Sequence, residues 1–310
     1  MATSVFLLTC FLLVLGLNVV NGQPLVPALY LFGDSIVDVG NNNYLETLIK
    51  ANFPPYGRDF INHEATGRFC NGKLATDFTG ENLGFTDYPK PYLSNKAKTT
   101  KNMLLGANFA SAGSGYYEAT AKIYTTLSLS KQLALYKDYQ NRLVVILGKV
   151  NASATINGSI HFLSDGSSDF VQNYYINPLL YKKYTPDQFS DILIQSYVNF
   201  VKVMFSPRTL LLSDCISATA IPGPNLNLLV LDIYQPLLDL VTKPIDNGFF
   251  EARKACCGSG LIETSFLCNA KSPGTCANAS EYVFWDGFHP TEAANKVLSN
   301  DLLVSGLNLI

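Results

Sequence analysis

Short apolar runs alternate with amphipathic segments along most of the chain. The apolar runs predict five strands, at residues 30–32, 104–110, 160–163, 209–212 and 228–234. Between them, apolar positions recur with the helical period and predict helices at residues 73–83 and 130–147, after Thr185, and after Pro290. Parallel strands need crossover connections, so strands that alternate with helices are typical of a parallel sheet. The pattern therefore predicts the α/β class with a mostly parallel central sheet.

The helix after Thr185 has a clear start signal. Thr185 can cap the helix, Pro186 takes the first helical position, and Gln188 completes a capping box. We expect this helix to bury a stripe formed by Phe189, Leu193, Phe200 and Met204. In the last helix of the chain, we expect the inward-facing residues to be Ala294, Val297 and Leu298.

The first 22 residues predict a cleaved signal peptide rather than a part of the fold. Residues 5–20 are almost wholly apolar, and residues 20–22 supply the small-residue pattern of a cleavage site. The alternative is a membrane anchor, but the apolar run is short for a span and no basic flank follows it. Residues 23–310 contain no repeat and no low-complexity linker, so we expect a single domain without a transmembrane segment.

The cysteines predict disulfide bonds. Removal of the signal peptide takes Cys10 with it and leaves an even number, which in a secreted chain predicts that most of them are oxidised. We expect residues 256–276, where the cysteines crowd, to form a disulfide-closed loop close to the motif around His289. A metal site fits this cluster poorly, because it contains no histidine and no repeated Cys-x-x-Cys. The remaining cysteines are Cys70, Cys215, Cys256, Cys257, Cys268 and Cys276.

Sequons and charge bear on the cellular location of the chain and on its binding partners. Acceptor sequons agree with the secretory route and predict glycosylation at Asn151, Asn157 and Asn278. Charged residues make up only 15% of the chain, and its net charge is −2. Nucleic-acid binding depends on clustered Lys and Arg, which this sequence lacks. The composition therefore argues against a nucleic-acid partner.

Candidate chemistry begins where the first predicted strand ends, at Gly33-Asp34-Ser35. A buried strand that ends in this way delivers a serine hydroxyl to the carboxyl edge of a sheet, where open α/β folds carry out their chemistry. Gly33 permits the tight turn that this requires. Gly, Asp and Ser are also the commonest turn formers, so the motif by itself favours a plain strand end.

A serine nucleophile needs a general base, usually a histidine, and three histidines are available. His63 lies in a polar loop without an obvious orienting partner, and His161 lies in an apolar strand, which favours a structural role. His289 has Asp286 three residues before it, with Gly287 between them. That spacing allows the carboxylate to bind one ring nitrogen and leaves the other free to accept a proton. Joined to the strand-ending serine, this motif predicts a Ser-His-Asp site.

Four segments together resemble the plant-type secreted members of the GDSL (SGNH) lipase/esterase family. They read FGDSIVDVGNNN at residues 32–43, GRFCNG at 67–72, GANFASAG at 106–113 and WDGFHP at 285–290. Ile36 stands where the name-giving leucine usually stands. The resemblance covers nearly all of the chain after residue 22. It implies a three-layer α/β/α sandwich and a secreted serine esterase or lipase that hydrolyses carboxylic esters without a metal or organic cofactor.

The resemblance also implies roles for single residues. By it, Ser35 is the nucleophile, His289 is the base and Asp286 orients the base. The backbone N–H groups of Ser35 and Gly113 would bind the oxyanion. The implied partner is a small-molecule, lipid or polysaccharide ester, and the implied location is extracellular, in the apoplast or the cell wall.

One departure from the family pattern concerns the oxyanion. The third family block usually reads Gly-x-Asn-Asp, and its asparagine donates a further hydrogen bond to the oxyanion. Residues 166–169 read GSSD here, so Ser168 occupies the asparagine position with a shorter reach. Ser168 is therefore a candidate third donor, and the alternative is that it only shapes its loop.

A second departure concerns length. Residues 207–227 stand in for a strand, a loop and a long helix of the family pattern. A parallel crossover needs roughly 10–12 residues at minimum, and the Pro-Gly-Pro run at residues 222–224 forbids a helix in the second half of this segment. The sequence thus predicts an internal deletion in the single domain.

The resulting hypothesis is a secreted serine esterase, with two alternatives. One is acyl transfer to a sugar or alcohol acceptor in place of water. The other is a catalytically weak or inactive secreted binding protein, because of the deletion. Labelling with a serine-directed fluorophosphonate separates the binding protein from the enzymes. Product analysis with and without an acceptor alcohol separates hydrolysis from transfer.

Overall fold

The centre of the protein is a short parallel sheet. The computed structural model describes residues 23–205 and 228–306. Its strands are β1 (Leu29–Gly33), β2 (Gly106–Asn108) and β3 (Ile160–Ser164), in the spatial order β2-β1-β3. All pairs are parallel, with Leu29 opposite both Gly106 and Ile160. The parallel sheet confirms the predicted fold class.

Helices connect and cover these strands. In chain order they are α1 (Ala75–Asn82), α2 (Thr100–Met103), α3 (Glu118–Tyr124), α4 (Leu129–Asn157), α5 (Ser167–Val171), α6 (Pro178–Lys183), α7 (Pro186–Met204), α8 (Tyr234–Thr242) and α9 (Glu292–Gly306). Short 3₁₀ turns lie in the loops, among them Asn41–Tyr44 and Ser265–Leu267. None of the helices in the described part of the chain is long and apolar enough to cross a membrane.

The two faces of β1 bury different clusters, because successive side chains of a strand point to opposite faces. Tyr30 and Phe32 pack against Tyr136 of α4 and Phe200 of α7. The rings of Tyr30 and Phe32 both lie 5.3 Å from that of Tyr136, measured between centroids. Leu29 points the other way and packs in a cluster with Leu83, just after α1. Helices on both faces of a sheet make the three-layer α/β/α sandwich.

Most predicted elements agree with the structure. The predicted strands at 30–32 and 160–163 correspond to β1 and β3, and the one at 104–110 is shortened to β2. The predicted helix at 73–83 is α1, and the one at 130–147 ends where Gly148 breaks the helical geometry of α4 (φ 76°, ψ 159°). The predicted strand at 209–212 lies outside the described residues.

The predicted strand at 228–234 is wrong. Residues 228–233 belong to no strand, and helix α8 begins at Tyr234. The Asp232 carboxylate accepts from the N–H groups of Tyr234 (2.8 Å) and Gln235 (3.3 Å) and so satisfies two of the free donors at the start of the helix. The run itself is irregular and largely exposed, with Leu228 and Val230 55% and 77% exposed, so it lacks the burial of a central strand.

The start of α7 confirms the predicted capping box. The Thr185 hydroxyl accepts from the N–H of Gln188 (3.3 Å), and the Gln188 side chain accepts from the N–H of Thr185 (3.0 Å). The predicted stripe of this helix is buried at Phe189, Leu193 and Phe200, and Met204 packs against the core. The last helix, α9, likewise buries Ala294 and Leu298, with Val297 packed beside them.

Gln132 of α4 forms hydrogen bonds with the last residue of the central strand. Its side-chain oxygen accepts from the N–H of Gly33 (2.9 Å), and its side-chain NH₂ donates to the carbonyl of Gly33 (2.9 Å) and to the hydroxyl of Ser114 (3.1 Å). Gln132 is fully buried. One side chain thus joins a helix, the end of β1 and the loop after β2.

Buried aspartates hold the loops that leave the carboxyl edge of the sheet. Asp38 accepts from the N–H groups of Gly40 (2.7 Å), Asn41 (2.7 Å) and Ala112 (3.1 Å). Burial raises the pKa of Asp38 to about 6, although these donors act in the opposite direction. Asp169 binds the loop after β2 in the same manner, and burial raises its pKa to about 6 as well.

We expect Gln132→Ala to destabilise the protein by about 2–4 kcal/mol, because the buried N–H of Gly33 loses its acceptor and a cavity remains. Urea unfolding measures this difference. The matched control is Gln195→Ala on the exposed side of α7, where the side chain bonds only to Asn199 (3.2 Å). That change should stay within about 0.5 kcal/mol of the parent. Equal effects of the two substitutions would contradict the role given to Gln132.

The buried carboxyl groups predict that the folded state is more stable near pH 5 than near pH 7.5. The pKa values of Asp38 and Asp169 are about 6, and burial also raises the pKa values of Asp34 and Asp165. Unfolded aspartates titrate near pH 3.9, so the folded chain holds more protons than the unfolded chain between about pH 4 and 6. The stabilisation is therefore complete below about pH 4 and is lost as the pH rises through about 6.

One buried imidazole has the opposite effect on the pH dependence of stability over the same pH range. Burial lowers the pKa of His161 to about 4, so the folded state holds fewer protons at this ring than the unfolded state. Its contribution to folding stability therefore grows as the pH rises. Four carboxyl groups outweigh this single group, and we expect the melting temperature to fall by several degrees between pH 5 and 7.5. Differential scanning calorimetry in buffers of equal ionic strength measures the change. A melting temperature that rises over this range would contradict the prediction.

Candidate active site

Ser35 lies two residues beyond β1, at the carboxyl edge of the sheet. The strand ends at Gly33, whose φ of 132° suits glycine. A Cβ at this position would lie 1.8 Å from the carbonyl oxygen of Ser164 on β3, so the close approach of the two strands also requires glycine. The N–H of Asp34 donates to the same oxygen (3.1 Å). The next residue, Ser35, is buried and leaves the sheet at this point.

The structure brings Ser35, His289 and Asp286 together. Ser35 Oγ lies 2.7 Å from Nε2 of His289. The other ring nitrogen, Nδ1, lies 2.8 Å from Oδ1 and 2.9 Å from Oδ2 of Asp286. All three side chains are buried. This is the order of contacts that a serine nucleophile, a base and an orienting carboxylate require.

The other two histidines lie elsewhere, as their sequence contexts predict. Nδ1 of His63 contacts the carbonyl oxygen of Arg58 in an exposed turn. Nε2 of His161 lies 2.6 Å from the hydroxyl of Tyr136, inside the aromatic cluster between the sheet and α4. Neither histidine contacts Ser35.

The turn that carries His289 is built around the carboxylate of Asp286. Oδ1 of Asp286 accepts from the N–H groups of Phe288 (2.9 Å) and His289 (2.8 Å). The N–H of Trp285 donates to the carbonyl oxygen of His289 (2.7 Å) and closes the turn. On the other side, the ring of Phe69 lies 5.0 Å from the imidazole, measured between centroids. Backbone and packing therefore fix the imidazole before any substrate binds.

Tyr56 is a contact that the sequence pattern does not indicate. Its hydroxyl donates to Oδ2 of Asp286 (2.6 Å) and accepts from the N–H of Ser265 (2.8 Å). Tyr56 lies 230 positions from Asp286 along the chain. No local motif links a tyrosine in one loop to a carboxylate so distant, and only the folded structure shows the pair.

Two disulfide bonds close the loop beside the His289 turn, as predicted. They join Cys256 to Cys276 and Cys257 to Cys268. The N–H groups of Cys256 and Cys257 donate to the carbonyl oxygens of Phe284 (2.9 Å) and Trp285 (2.8 Å), which places the loop directly against the turn.

Among the described cysteines, Cys70 lies outside these two disulfides, which agrees with the expectation that most of the cysteines are oxidised. Cys70 is a free, buried thiol, and burial raises its pKa above the ordinary value. Its sulfur lies 3.5 Å from the amide nitrogen of Asn295 and 3.4 Å from the N–H of Gly72, so its contacts among the described residues are polar. Cys215 lies outside the described residues.

The residues predicted to bind an oxyanion are Ser35, Gly113 and Ser168. Within the described part of the chain, the N–H groups of Ser35 and Gly113 donate to no acceptor. The hydroxyl of Ser168 is fully buried and has no partner among the described residues. The segments that carry Gly113 and Ser168 are held close to Ser35. The N–H of Ala112 donates to Asp38, and the hydroxyl of Ser167 donates to Asp34 (2.6 Å).

A shallow depression lies at Ser35 on the protein surface. Polar and apolar side chains line it together: Ser35, Ile36, Phe69, Leu74, His289, Pro290 and Asn295. Within the described residues, no group of three or more His, Cys, Asp or Glu side chains is arranged to hold a metal ion.

Comparison with known proteins agrees with this geometry. Residues 29–302 match the model of the family described as GDSL-like Lipase/Acylhydrolase. One GDSL esterase/lipase of Arabidopsis thaliana is 56% identical over 335 residues, which cover 94% of this chain and 92% of the relative. A second is 51% identical over 351 residues, which cover 100% of this chain and 98% of the relative.

A third relative, the GDSL esterase/lipase APG of Arabidopsis thaliana, is 47% identical over 349 residues, which cover 99% of both chains. These aligned lengths exceed the 310 residues of the present chain. The relatives therefore contain positions that have no counterpart here. With matches of this extent and identity, the chain belongs to the GDSL-like lipase/acylhydrolase family of ester hydrolases.

Proposed function

We propose that this protein hydrolyses carboxylic esters with Ser35 as the nucleophile, His289 as the general base and Asp286 as the residue that orients the base. The observation that carries the proposal is the 2.7 Å contact between Ser35 Oγ and Nε2 of His289. A serine hydroxyl is a weak nucleophile until a base accepts its proton, and this contact has the length that the transfer needs.

The orientation of His289 follows from its partner. Asp286 accepts at Nδ1, so the ring proton resides there and Nε2 presents its lone pair to Ser35. As Oγ attacks the ester carbonyl carbon, the hydroxyl proton moves to Nε2, and the imidazolium is stabilised by the carboxylate. The imidazolium then returns the proton to the departing alcohol. Water repeats the sequence on the acyl-enzyme and releases the acid and free Ser35.

The N–H groups of Ser35 and Gly113 and the hydroxyl of Ser168 are the proposed donors to the oxyanion. Their lack of partners within the described residues supports this assignment, since a buried donor without an acceptor is costly to keep. The negative charge that develops on the carbonyl oxygen would supply the missing acceptor.

We propose that the protein is secreted and works in the apoplast or the cell wall. Two disulfides support an oxidising compartment. The sequon residues Asn151, Asn157 and Asn278 are all exposed, which allows a glycan at each of them. The apolar start of the chain fits a signal peptide and lies outside the described residues.

The substrate is proposed to be a small-molecule, lipid or polysaccharide ester. Ile36, Phe69, Leu74 and Pro290 border the depression at Ser35 and would give an acyl chain apolar contacts. We place the positions missing relative to longer relatives around residues 207–227. Acyl transfer and a weakly active binding protein stay as alternatives, separated by acceptor-dependent products and by fluorophosphonate labelling.

We expect Ser35→Ala and His289→Ala each to reduce hydrolysis of p-nitrophenyl esters by about 10⁴-fold or more, because the nucleophile and its base act as a unit. Fluorophosphonate should label the parent and not Ser35→Ala. The control Ser130→Ala removes a hydroxyl near the start of α4 that bonds only to Ser128 (3.0 Å), and it should leave both signals unchanged. Turnover by Ser35→Ala at the parent rate would exclude the mechanism.

We expect Ser168→Ala to lower kcat by about 10- to 10³-fold with little change in KM, because an oxyanion donor acts mainly in the transition state. The matched control is Thr76→Val, since the hydroxyl of Thr76 is also buried and unpartnered among the described residues. Steady-state kinetics on one p-nitrophenyl ester measures both variants. If the two variants have the same kcat, Ser168 only shapes its loop.

A further inference from the structure

The hydroxyl of Tyr56 lies between the Asp286 carboxylate and the disulfide-closed loop. We propose that Tyr56 is a positioning residue for the reaction: it holds Asp286 in the orientation that His289 needs, and it is itself held by the loop between Cys257 and Cys268. This inference rests on the proposed function, because it concerns the efficiency of the same Ser-His-Asp site.

The hydrogen bonds of Asp286 are divided unequally between its oxygens. Oδ1 accepts from the N–H groups of Phe288 and His289 and contacts Nδ1 of the imidazole. Oδ2 accepts from Tyr56 (2.6 Å), and its only other contact is the same Nδ1 at 2.9 Å. Asp286 is fully buried, so its carboxylate depends on donors from the protein. Without Tyr56, the imidazole is the sole donor that Oδ2 can reach among the described residues.

The direction of the Tyr56 proton is set by its second partner. The N–H of Ser265 donates to the Tyr56 oxygen (2.8 Å), so the hydroxyl must use its own proton toward Asp286. Burial, together with the neighbouring Asp286 charge, raises the pKa of Tyr56 well above its ordinary value of 10, and the hydroxyl stays protonated. The Tyr56 side chain is therefore a fixed donor to the carboxylate.

Packing fixes the ring of Tyr56 as well. Its centroid lies 5.8 Å from that of Phe53, 5.8 Å from that of Phe69 and 6.2 Å from that of Trp285, all in edge-to-face geometry. Tyr56 and Trp285 pack in one cluster with the disulfide cysteines. The ring keeps this packing when only the hydroxyl is removed, which makes the phenylalanine variant a clean test.

Ser265 connects this arrangement to the covalently closed loop. It lies between Cys257 and Cys268, which are joined by a disulfide. Its own hydroxyl accepts from the N–H of Lys50 (3.0 Å) and contacts the carbonyl oxygens of Leu48 (3.1 Å) and Lys50 (2.9 Å). Ser265, whose N–H donates to Tyr56, is thus held both by the disulfide-closed loop and by its contacts with Leu48 and Lys50.

The chain offers a matched control for the experiment. Tyr92 is as buried as Tyr56, at 1% exposure, and its hydroxyl donates to Oδ2 of Asp138 at the same distance of 2.6 Å. This second pair joins the loop before α2 to α4 and has no contact with Ser35, Asp286 or His289. Tyr92→Phe therefore removes the same chemical group from a site without a part in the reaction.

The experiment measures kcat and KM of Tyr56→Phe and Tyr92→Phe with a p-nitrophenyl ester, beside their melting temperatures. We expect Tyr56→Phe to lose about 10- to 100-fold in kcat with KM within twofold of the parent, because a small displacement of the reacting groups is costly. We expect Tyr92→Phe to retain the parent kcat, even where its melting temperature falls as much. A parent-like kcat in Tyr56→Phe, or an equal loss in both variants, would overturn the inference.

A double-mutant cycle tests whether Tyr56 acts through Asp286. In the Asp286→Asn background, Tyr56→Phe should cause little further loss of kcat, because the group that it positions is already gone. The same fractional loss in both backgrounds would overturn the inference. Ser35→Ala in the same assay keeps the two proposals apart: an active Ser35→Ala defeats the proposed function, whereas an inactive Ser35→Ala beside a fully active Tyr56→Phe defeats only the role of Tyr56.

Discussion

The need to satisfy buried polar groups at one edge of a short sheet governs this structure. Three parallel strands end at the same edge, and their loops bring backbone and carboxylate groups out of solvent. Each such group is costly unless it finds a partner. Gln132 provides partners for the end of β1, and Asp38 and Asp169 gather the N–H groups of the following loops. The groups of the candidate site are held in fixed positions because hydrogen bonds join the loops at this edge.

Part of the molecule follows from local sequence. The Thr185 capping box, the buried stripe of α7 and the strands β1 and β3 are local patterns, because apolar period and capping chemistry act over a few residues. The encounter of Ser35 with the Asp286–His289 turn was also predictable. A strand-ending serine and a histidine with a carboxylate three residues earlier limit the possible arrangements, even though they are far apart in the chain.

Other features depend on contacts between distant segments, and one sequence does not contain that information. The apolar run at 228–234 reads as a strand, but among the described residues it is largely exposed and irregular up to the start of α8. The pairing of Tyr56 with Asp286 and the grip of Gln132 on Gly33 connect positions with no common motif. Among the described residues, Cys70 is a thiol that contacts polar groups of Gly72 and Asn295, a contact that its sequence context does not predict.

The order of the groups along the chain has a consequence for synthesis. Ser35 and His289 are separated by 254 positions, and the serine emerges from the ribosome long before the histidine. On the proposed mechanism, a nascent chain therefore carries its nucleophile without the base for most of its translation. The two disulfides that brace the His289 turn also form between late residues, all after position 255. On the proposed mechanism, a chain that stops before the His289 turn lacks the base, so hydrolysis has to await the last part of translation.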